Sequence, residues 1–291
     1  MAQYSIKDAE MISGVKAHTL RIWEQRYEFI KPQRTDTNIR FYSDEQMKLL
    51  LNISTLVKSG MRISKVAELN DQDLCKKVLS IVEKDQRPDT QIDALVYAMI
   101  EFNEARFDKV LTDTIINRGF ENTFSSLIMP FMIKVGTLWT IGSIHPAQEH
   151  FISNLIRRKI ITAIDGVHLQ LHQHSKRFIL FLPEREQHEL LLLFSEYIIR
   201  KHSHQVFFIG STPYPELKRI YEQLKPNFLV TYLTLQPIEG STEEYLSSLS
   251  KSFPDIRILA GGIQLQHISI AAMPNVSIIS SEADLINAIS R

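Results

Sequence analysis

Cysteine is almost missing: Cys75 is the single one in 291 residues. That excludes an intrachain disulfide framework and a cysteine-rich zinc site, and it reads as a small buried hydrophobe. Excess charge is missing too, since 33 Lys and Arg balance 33 Asp and Glu. A chain of zero net charge does not coat nucleic acid over its whole surface, so any such contact must come from a patch. No window reaches eighteen uncharged apolar residues, and the N-terminus lacks the basic-then-apolar design of a signal peptide. The expectation is a cytoplasmic protein with no membrane partner. There is no internal repeat, no sustained heptad that would make a simple coiled-coil dimer, and no Ser-His-Asp set, Walker loop or paired-carboxylate arrangement that would mark an enzyme. What remains is 44% hydrophobic and 23% charged, the balance of soluble globular protein. The length suits two or three domains.

The positive charge is local. Between Lys16 and Tyr42 stand six basic residues (Lys16, Arg21, Arg26, Lys31, Arg34, Arg40) and three acids (Glu24, Glu28, Asp36), a balance of +3. Read as a helix from Lys16, the stretch sets Leu20, Trp23 and Tyr27 on one side and His18, Arg21 and Gln25 on the other. Pro32 ends the helical run, and Arg34, Thr35, Asn38, Arg40 and Tyr42 follow in a polar, turn-rich segment suited to lying along a nucleic-acid backbone. On charge alone this is equally an ordinary solvated amphipathic helix. The residues before it decide otherwise. Ser5-Ile6-Lys7-Asp8 is a capping box that opens a short helix ending at Ser13-Gly14, and two helices about a glycine turn make a helix-turn-helix.

The run HTLRIWEQRY, then KPQRT, then IRFYSDEQ resembles, in order and spacing, the winged-helix head of the MerR family of bacterial transcription regulators over roughly the first seventy residues. Glu28-Phe29 departs from the family's usual glycine and leucine. The resemblance implies double-stranded DNA (a promoter or operator) as partner, with His18, Thr19, Arg21, Arg26, Arg34, Arg40 and Tyr42 as contacts.

After the wing, Ser43-Asp44-Glu45 caps a helix to about Val57, and Ile63 to Leu69 makes a shorter one. From Asp71 to about His172 apolar residues recur at helical intervals, in the sets Leu74/Val78/Ile81, Leu95/Met99/Phe102 and Val110/Ile115/Ile116. Breaks are expected at Arg87-Pro88, Arg118-Gly119, Met129-Pro130 and His145-Pro146, giving a bundle of four or five helices. At Arg177 the period changes. Strands at 178–182, 205–209, 228–233, 256–260 and 276–279 alternate with helices at 187–201, 215–224, 243–252 and from 283, which indicates a parallel α/β sheet. The fold class is therefore multidomain α plus α/β: a winged helix-turn-helix head at 1–72, a four-helix bundle at 73–174 and a doubly wound, flavodoxin-like parallel-sheet domain at 175–291.

Ligands of open parallel sheets sit at the carboxyl ends of the strands. There this chain has Glu186-Gln187-His188 after the first strand, Thr231-Tyr232-Leu233 at the third and Gly261-Gly262 after the fourth. Glu186 is placed to hold one ring nitrogen of His188 and leave the other for a metal. The set resembles the cobalamin-binding domain, in which a Glu/Asp-x-His loop supplies the lower ligand of cobalt, and Ser/Thr and Gly-Gly loops line the slot for the nucleotide tail. Trp139, followed after nine residues by Glu149-His150, matches the W-x9-EH pattern of the bundle that precedes this domain in light-sensing, adenosylcobalamin-dependent repressors of the MerR family.

The resemblance then covers essentially the full chain. It implies adenosylcobalamin as cofactor, His188 as cobalt's axial ligand, and Trp139, Glu149, His150, Glu186, Thr231, Gly261 and Gly262 as cofactor contacts. It also implies a self-associating regulator (dimer or tetramer), in which the adenosyl form assembles on DNA and light takes the assembly apart, with a protein antagonist as a further partner. Two departures cut across it: Arg185 and Leu191 stand where the family carries glycines, and Leu191 fills space the tail needs, at an overpacking cost of roughly 1–3 kcal/mol. They leave open a regulator whose sensor no longer binds cobalamin and answers to a protein partner. A cobalamin-carrying enzyme subunit would need a catalytic barrel, for which the chain has no room, and it would leave the head unexplained.

Overall fold

The computed structural model describes residues 4–27, 30–34, 40–84, 88–140, 144–168, 170–237, 240–266 and 268–290. It divides into two compact units, Met1–Leu155 and Ile156–Arg291, with the division inside a helix.

The first unit opens with β1 (Tyr4–Ser5) and α1 (Ile6–Ser13). Ser5 and Asp8 cap α1 reciprocally: Ser5 N donates to Asp8 Oδ2 at 2.7 Å and Asp8 N to Ser5 Oγ at 3.2 Å. Gly14 ends the helix at φ +73, a left-handed turn that any side chain would strain. Then come α2 (Ala17–Arg26), β2 (Gln33–Arg34), β3 (Arg40–Tyr42), α3 (Asp44–Lys58) and α4 (Ile63–Ala67). The three strands form a small antiparallel sheet with β3 in the middle. Contrary to the sequence expectation, α2 stops at Arg26, well before Pro32, and Tyr27 is already extended.

The bundle follows as α5 (Asp71–Lys84), α6 (Pro88–Ile100), α7 (Glu104–Arg118), α8 (Phe120–Thr123), a π-helical turn (Phe124–Ile128), α9 (Met129–Thr140) and α10 (Pro146–Asp165). The expected break at Met129-Pro130 is not there. The preceding π turn shifts the bonding, so that Met129 N–H donates to Phe124 O five residues back; the widened turn carries the helix past a residue that lacks its own N–H. A break instead falls at Phe102, whose φ is +51, before Asn103 caps α7. Phe102 and Ile116 are therefore exposed rather than part of the core sets. The bundle core holds Leu95, Met99, Phe107, Leu111, Phe124, Phe131 and Leu138, with the Phe107 and Phe131 rings edge to face at 5.7 Å.

One polar group ties head to bundle within this unit. Asp93 of α6, 4% exposed, accepts from Lys58 Nζ of α3 at 2.5 Å and from Lys134 Nζ of α9 at 3.0 Å. A buried carboxylate is tolerated because both its oxygens are met by cations.

The second unit is a five-stranded parallel sheet of β4 (Arg177–Leu182), β5 (Gln205–Ser211), β6 (Phe228–Tyr232), β7 (Arg257–Gly261) and β8 (Val276–Ile278), in the order β5-β4-β6-β7-β8. The near-continuous apolar runs of β4 and β6 are what a strand covered on both faces requires; Phe178 and Phe228 stack across them at 4.5 Å. Between the strands lie α11 (Leu190–Lys201), α12 (Tyr214–Leu224) and α13 (Thr242–Ser252), and α14 (Glu282–Ile289) follows β8. One sheet face packs Ile179, Phe181, Leu229, Leu233 and Ala260 against Leu217 of α12 and Leu246 and Leu249 of α13. The other carries α11, which also touches α14. This is the doubly wound order whose switch point lies at the carboxyl ends of β4 and β6.

Candidate nucleic-acid interface and ligand loop

In the head, Leu20 and Trp23 bury one side of α2, while His18, Arg21, Gln25 and Arg26 stand exposed and Thr19 is partly covered. The start of α2 is held by its predecessor rather than by its own N-cap. Glu10 of α1 accepts from Ala17 N and Lys16 Nζ, each at 3.0 Å, and these bonds hold its carboxyl below the ordinary range. The turn is fixed further by Ser54 Oγ of α3, which donates to Ser13 O at 2.8 Å.

Glu24, which the sequence showed only as one of three acids in a basic stretch, is the link between helix and wing. Its side chain is largely buried; Oε2 lies 3.1 Å from Arg40 Nε, and Oε1 accepts from the Tyr42 hydroxyl. This corrects Tyr42. At 0% exposure its ring belongs to the core and cannot reach a phosphate, and burial followed by the Glu24 carboxylate pushes its hydroxyl well above the ordinary range. Its place is to fasten β3 to α2. The clue available in the sequence was an acid in an otherwise basic stretch. Arg34 pairs with Arg40 in the sheet; Glu28-Phe29, Thr35 and Asn38 lie outside the described residues.

In the bundle, Trp139 sits near the end of α9 and is 47% exposed, so it is not core packing. Glu149 and His150 lie in the first turn of α10. Glu149 Oε1 accepts from Ser153 Oγ at 2.5 Å, and Oε2 lies 3.3 Å from His150 Nδ1.

In the second unit, Glu186 Oε1 accepts from His188 N at 3.0 Å and lies 2.6 Å from His188 Nδ1. Its Oε2 accepts from Thr234 N at 2.9 Å and Leu235 N at 2.7 Å, in the loop after β6. Burial alone would raise this carboxyl; the His188 ring and the three amides outweigh it and bring it down to about 2. The carboxylate is thus ionised and pins the loop, while the imidazole itself is exposed. A histidine whose Nδ1 faces a carboxylate is the arrangement that binds metal through Nε2.

Thr231 requires correction. It lies inside β6, paired with Phe181 and Ala260, and shares the face of Leu229 and Leu233, because side chains alternate along a strand. Its hydroxyl is buried with no hydrogen-bond partner. Gly261 belongs to the opposite face, so the two cannot line one slot. Nor is the glycine pair an open cradle. A Cβ on Gly261 would meet Tyr232 Cε1 at 2.4 Å, and one on Gly262 would meet the Leu233 carbonyl oxygen at 2.3 Å. The loop thus offers a metal ligand at His188, and the space beside the glycine pair is occupied by Tyr232 and Leu233.

A regulator is the class of protein that this assembly defines: a basic helix-turn-helix with its wing, a helical bundle and a flavodoxin-like sheet. Residues 4–73 match the MerR HTH family regulatory protein model and residues 91–163 the B12 binding domain model. The chain thus carries a MerR-type helix-turn-helix followed by a B12-binding domain, the make-up of a transcriptional regulator. Among curated proteins it is 25% identical, over 97% of its length and 96% of the relative's, to the HTH-type transcriptional repressor CarH of Myxococcus xanthus. It is 24% identical to the HTH-type transcriptional repressor CarA of the same organism, over 89% of this chain and 86% of that one. Among solved structures it resembles a monomethylamine corrinoid protein of Methanosarcina barkeri, with a TM-score of 0.55 and 13% identity over 71% of this chain and 99% of that one, a likeness of fold. Among the described residues no helix is long and apolar enough to cross a membrane.

Proposed function

We propose that this protein represses transcription by assembling on operator DNA, and that a corrinoid held at His188 governs the assembly. The cofactor is cobalamin in its adenosyl form, and light reverses the effect. His188 would hold the metal through its imidazole. Glu186 orients its ring and holds the loop, and Trp139, Glu149 and His150 of the bundle stand as further candidate cofactor residues. The observation that carries the reading is the His188–Glu186 pair: an exposed imidazole turned by a buried, ionised carboxylate has the donor chemistry of an axial ligand. A corrinoid bound there would supply a cobalt whose chemistry differs between cofactor forms.

On the DNA side, the exposed His18, Arg21 and Gln25 of α2 read base edges, and Arg34 and Arg40 of the wing hold phosphates. The Glu24 bridge fixes the angle between reader and clamp. Switching follows if the corrinoid binds the assembled and dissociated states with different affinity.

The test is the absorbance spectrum of the full chain mixed with adenosylcobalamin in the dark and then desalted. A retained, shifted spectrum that is lost in His188→Ala supports the reading; an unchanged spectrum at saturating cofactor overturns its ligand half.

A further inference from the structure

We propose that this domain recognises a corrinoid by its ring and metal alone, because Tyr232 and Leu191 close the slot that a lower nucleotide tail would enter. The inference rests on the corrinoid reading of the His188 site.

Tyr232 is the last residue of β6 and pairs with Gly261 of β7. Its ring lies directly on that glycine, on the sheet face that carries α11. Ser195 of α11 donates its hydroxyl hydrogen to Leu191 O at 2.9 Å. The contact of 2.8 Å between the Tyr232 and Ser195 oxygens is therefore donated by the phenol. The result is a chain of donors, Tyr232 to Ser195 to the Leu191 carbonyl, that ends three residues beyond His188. Tyr232 and Ser195 are both buried, and burial pushes the phenol up to about 12, so it stays a neutral donor.

A tail passing from a metal at His188 down between α11 and Gly261 would have to expel this ring. It would also have to break a buried hydrogen bond, whose partners would be left unsatisfied, and pass Leu191, which stands one turn before Ser195 on the same side of α11. A corrinoid without a nucleotide meets none of these obstacles. The glycine at 261 is then explained by the chain's own tyrosine, which occupies the room that the missing Cβ provides.

The experiment titrates the full chain with aquocobinamide, which has no tail, and with aquocobalamin, following the corrin absorbance bands. Wild type is expected to bind cobinamide no more weakly than cobalamin. Leu191→Gly and Tyr232→Ala should shift the ratio toward cobalamin by roughly tenfold each, the order of an overpacking penalty relieved. Leu191, which is only partly buried, keeps the test available should Tyr232→Ala fail to fold. Wild-type binding that is tighter for cobalamin overturns the closed slot and leaves the corrinoid reading standing. A ratio unmoved by both variants overturns the assignment to these two side chains. A spectrum unmoved by either corrinoid removes the corrinoid reading, and this inference with it.

Discussion

Glu186 turns His188: one carboxylate oxygen lies within 2.6 Å of the ring nitrogen and also accepts the histidine's own amide. The other oxygen holds two amides of the loop after β6. Two loops at the carboxyl end of the sheet thus hang on one buried acid.

That bond has a pH signature. The folded carboxyl is brought down to about 2 from an ordinary 4.5, so ionised Glu186 stabilises the fold above about pH 4.5. The contribution is lost as pH falls toward 2. At about 1.4 kcal/mol per unit, its full size is about 3 kcal/mol. Urea unfolding of wild type and Glu186→Gln should differ by about that amount at pH 7 and should converge only as pH falls to about 2. A difference that persists at low pH would contradict the assignment.

The head's readers and clamps separate in their DNA behaviour. Arg21→Ala should cost about 1–3 kcal/mol on the preferred site and relax preference at one base pair. Arg34→Ala should weaken all duplexes alike and flatten the salt dependence. Fluorescence anisotropy against matched and scrambled duplexes at two salt concentrations measures both.

Glu24→Ala removes the bridge from α2 to the wing. It leaves the Tyr42 hydroxyl buried without its acceptor, a loss of about 1–3 kcal/mol. DNA binding should weaken although Glu24, an acid, is no attractive contact for phosphate. Tyr42→Phe should cost less than Glu24→Ala in thermal unfolding, since the Glu24 carboxylate that loses its phenol donor keeps the Arg40 pair.

Much of this was legible in the sequence. The capping box at Ser5 and Asp8, the turn at Gly14 and all five strands of the α/β sheet were visible, because caps, glycine turns and apolar runs are local signals. The break supposed at Pro130 was misplaced, since a π turn is set by packing and leaves no mark in periodicity. Asp93 and the Tyr232–Ser195 pair were not legible at all, and Glu24 showed only as an acid in a basic stretch. Each joins residues far apart in the chain, and no spacing rule reaches across such gaps. Thr231 was expected to line the slot because a strand covered on both faces does not show in its apolar run which face meets a ligand.

Asp93 supplies a fourth outcome. Asp93→Ala leaves Lys58 and Lys134 facing each other across the junction of α3, α6 and α9. Because both lysines retain some solvent, the loss should be about 2–3 kcal/mol, below the range for a fully buried pair. Thermal unfolding checks this, and Lys58→Met should be milder because Lys134 still satisfies the acid.

The central claim is that a corrinoid held at His188 governs how this protein gathers on a chosen duplex. The direct measurement is enrichment of a random duplex pool by the full chain in the dark, with and without adenosylcobalamin, followed by the affinity and stoichiometry on the enriched site. The account predicts a converged sequence with repeated half-sites, bound with more copies per duplex when the corrinoid is present and no longer so in His188→Ala. A pool that converges on nothing, or a stoichiometry indifferent to both corrinoid and His188, would contradict it.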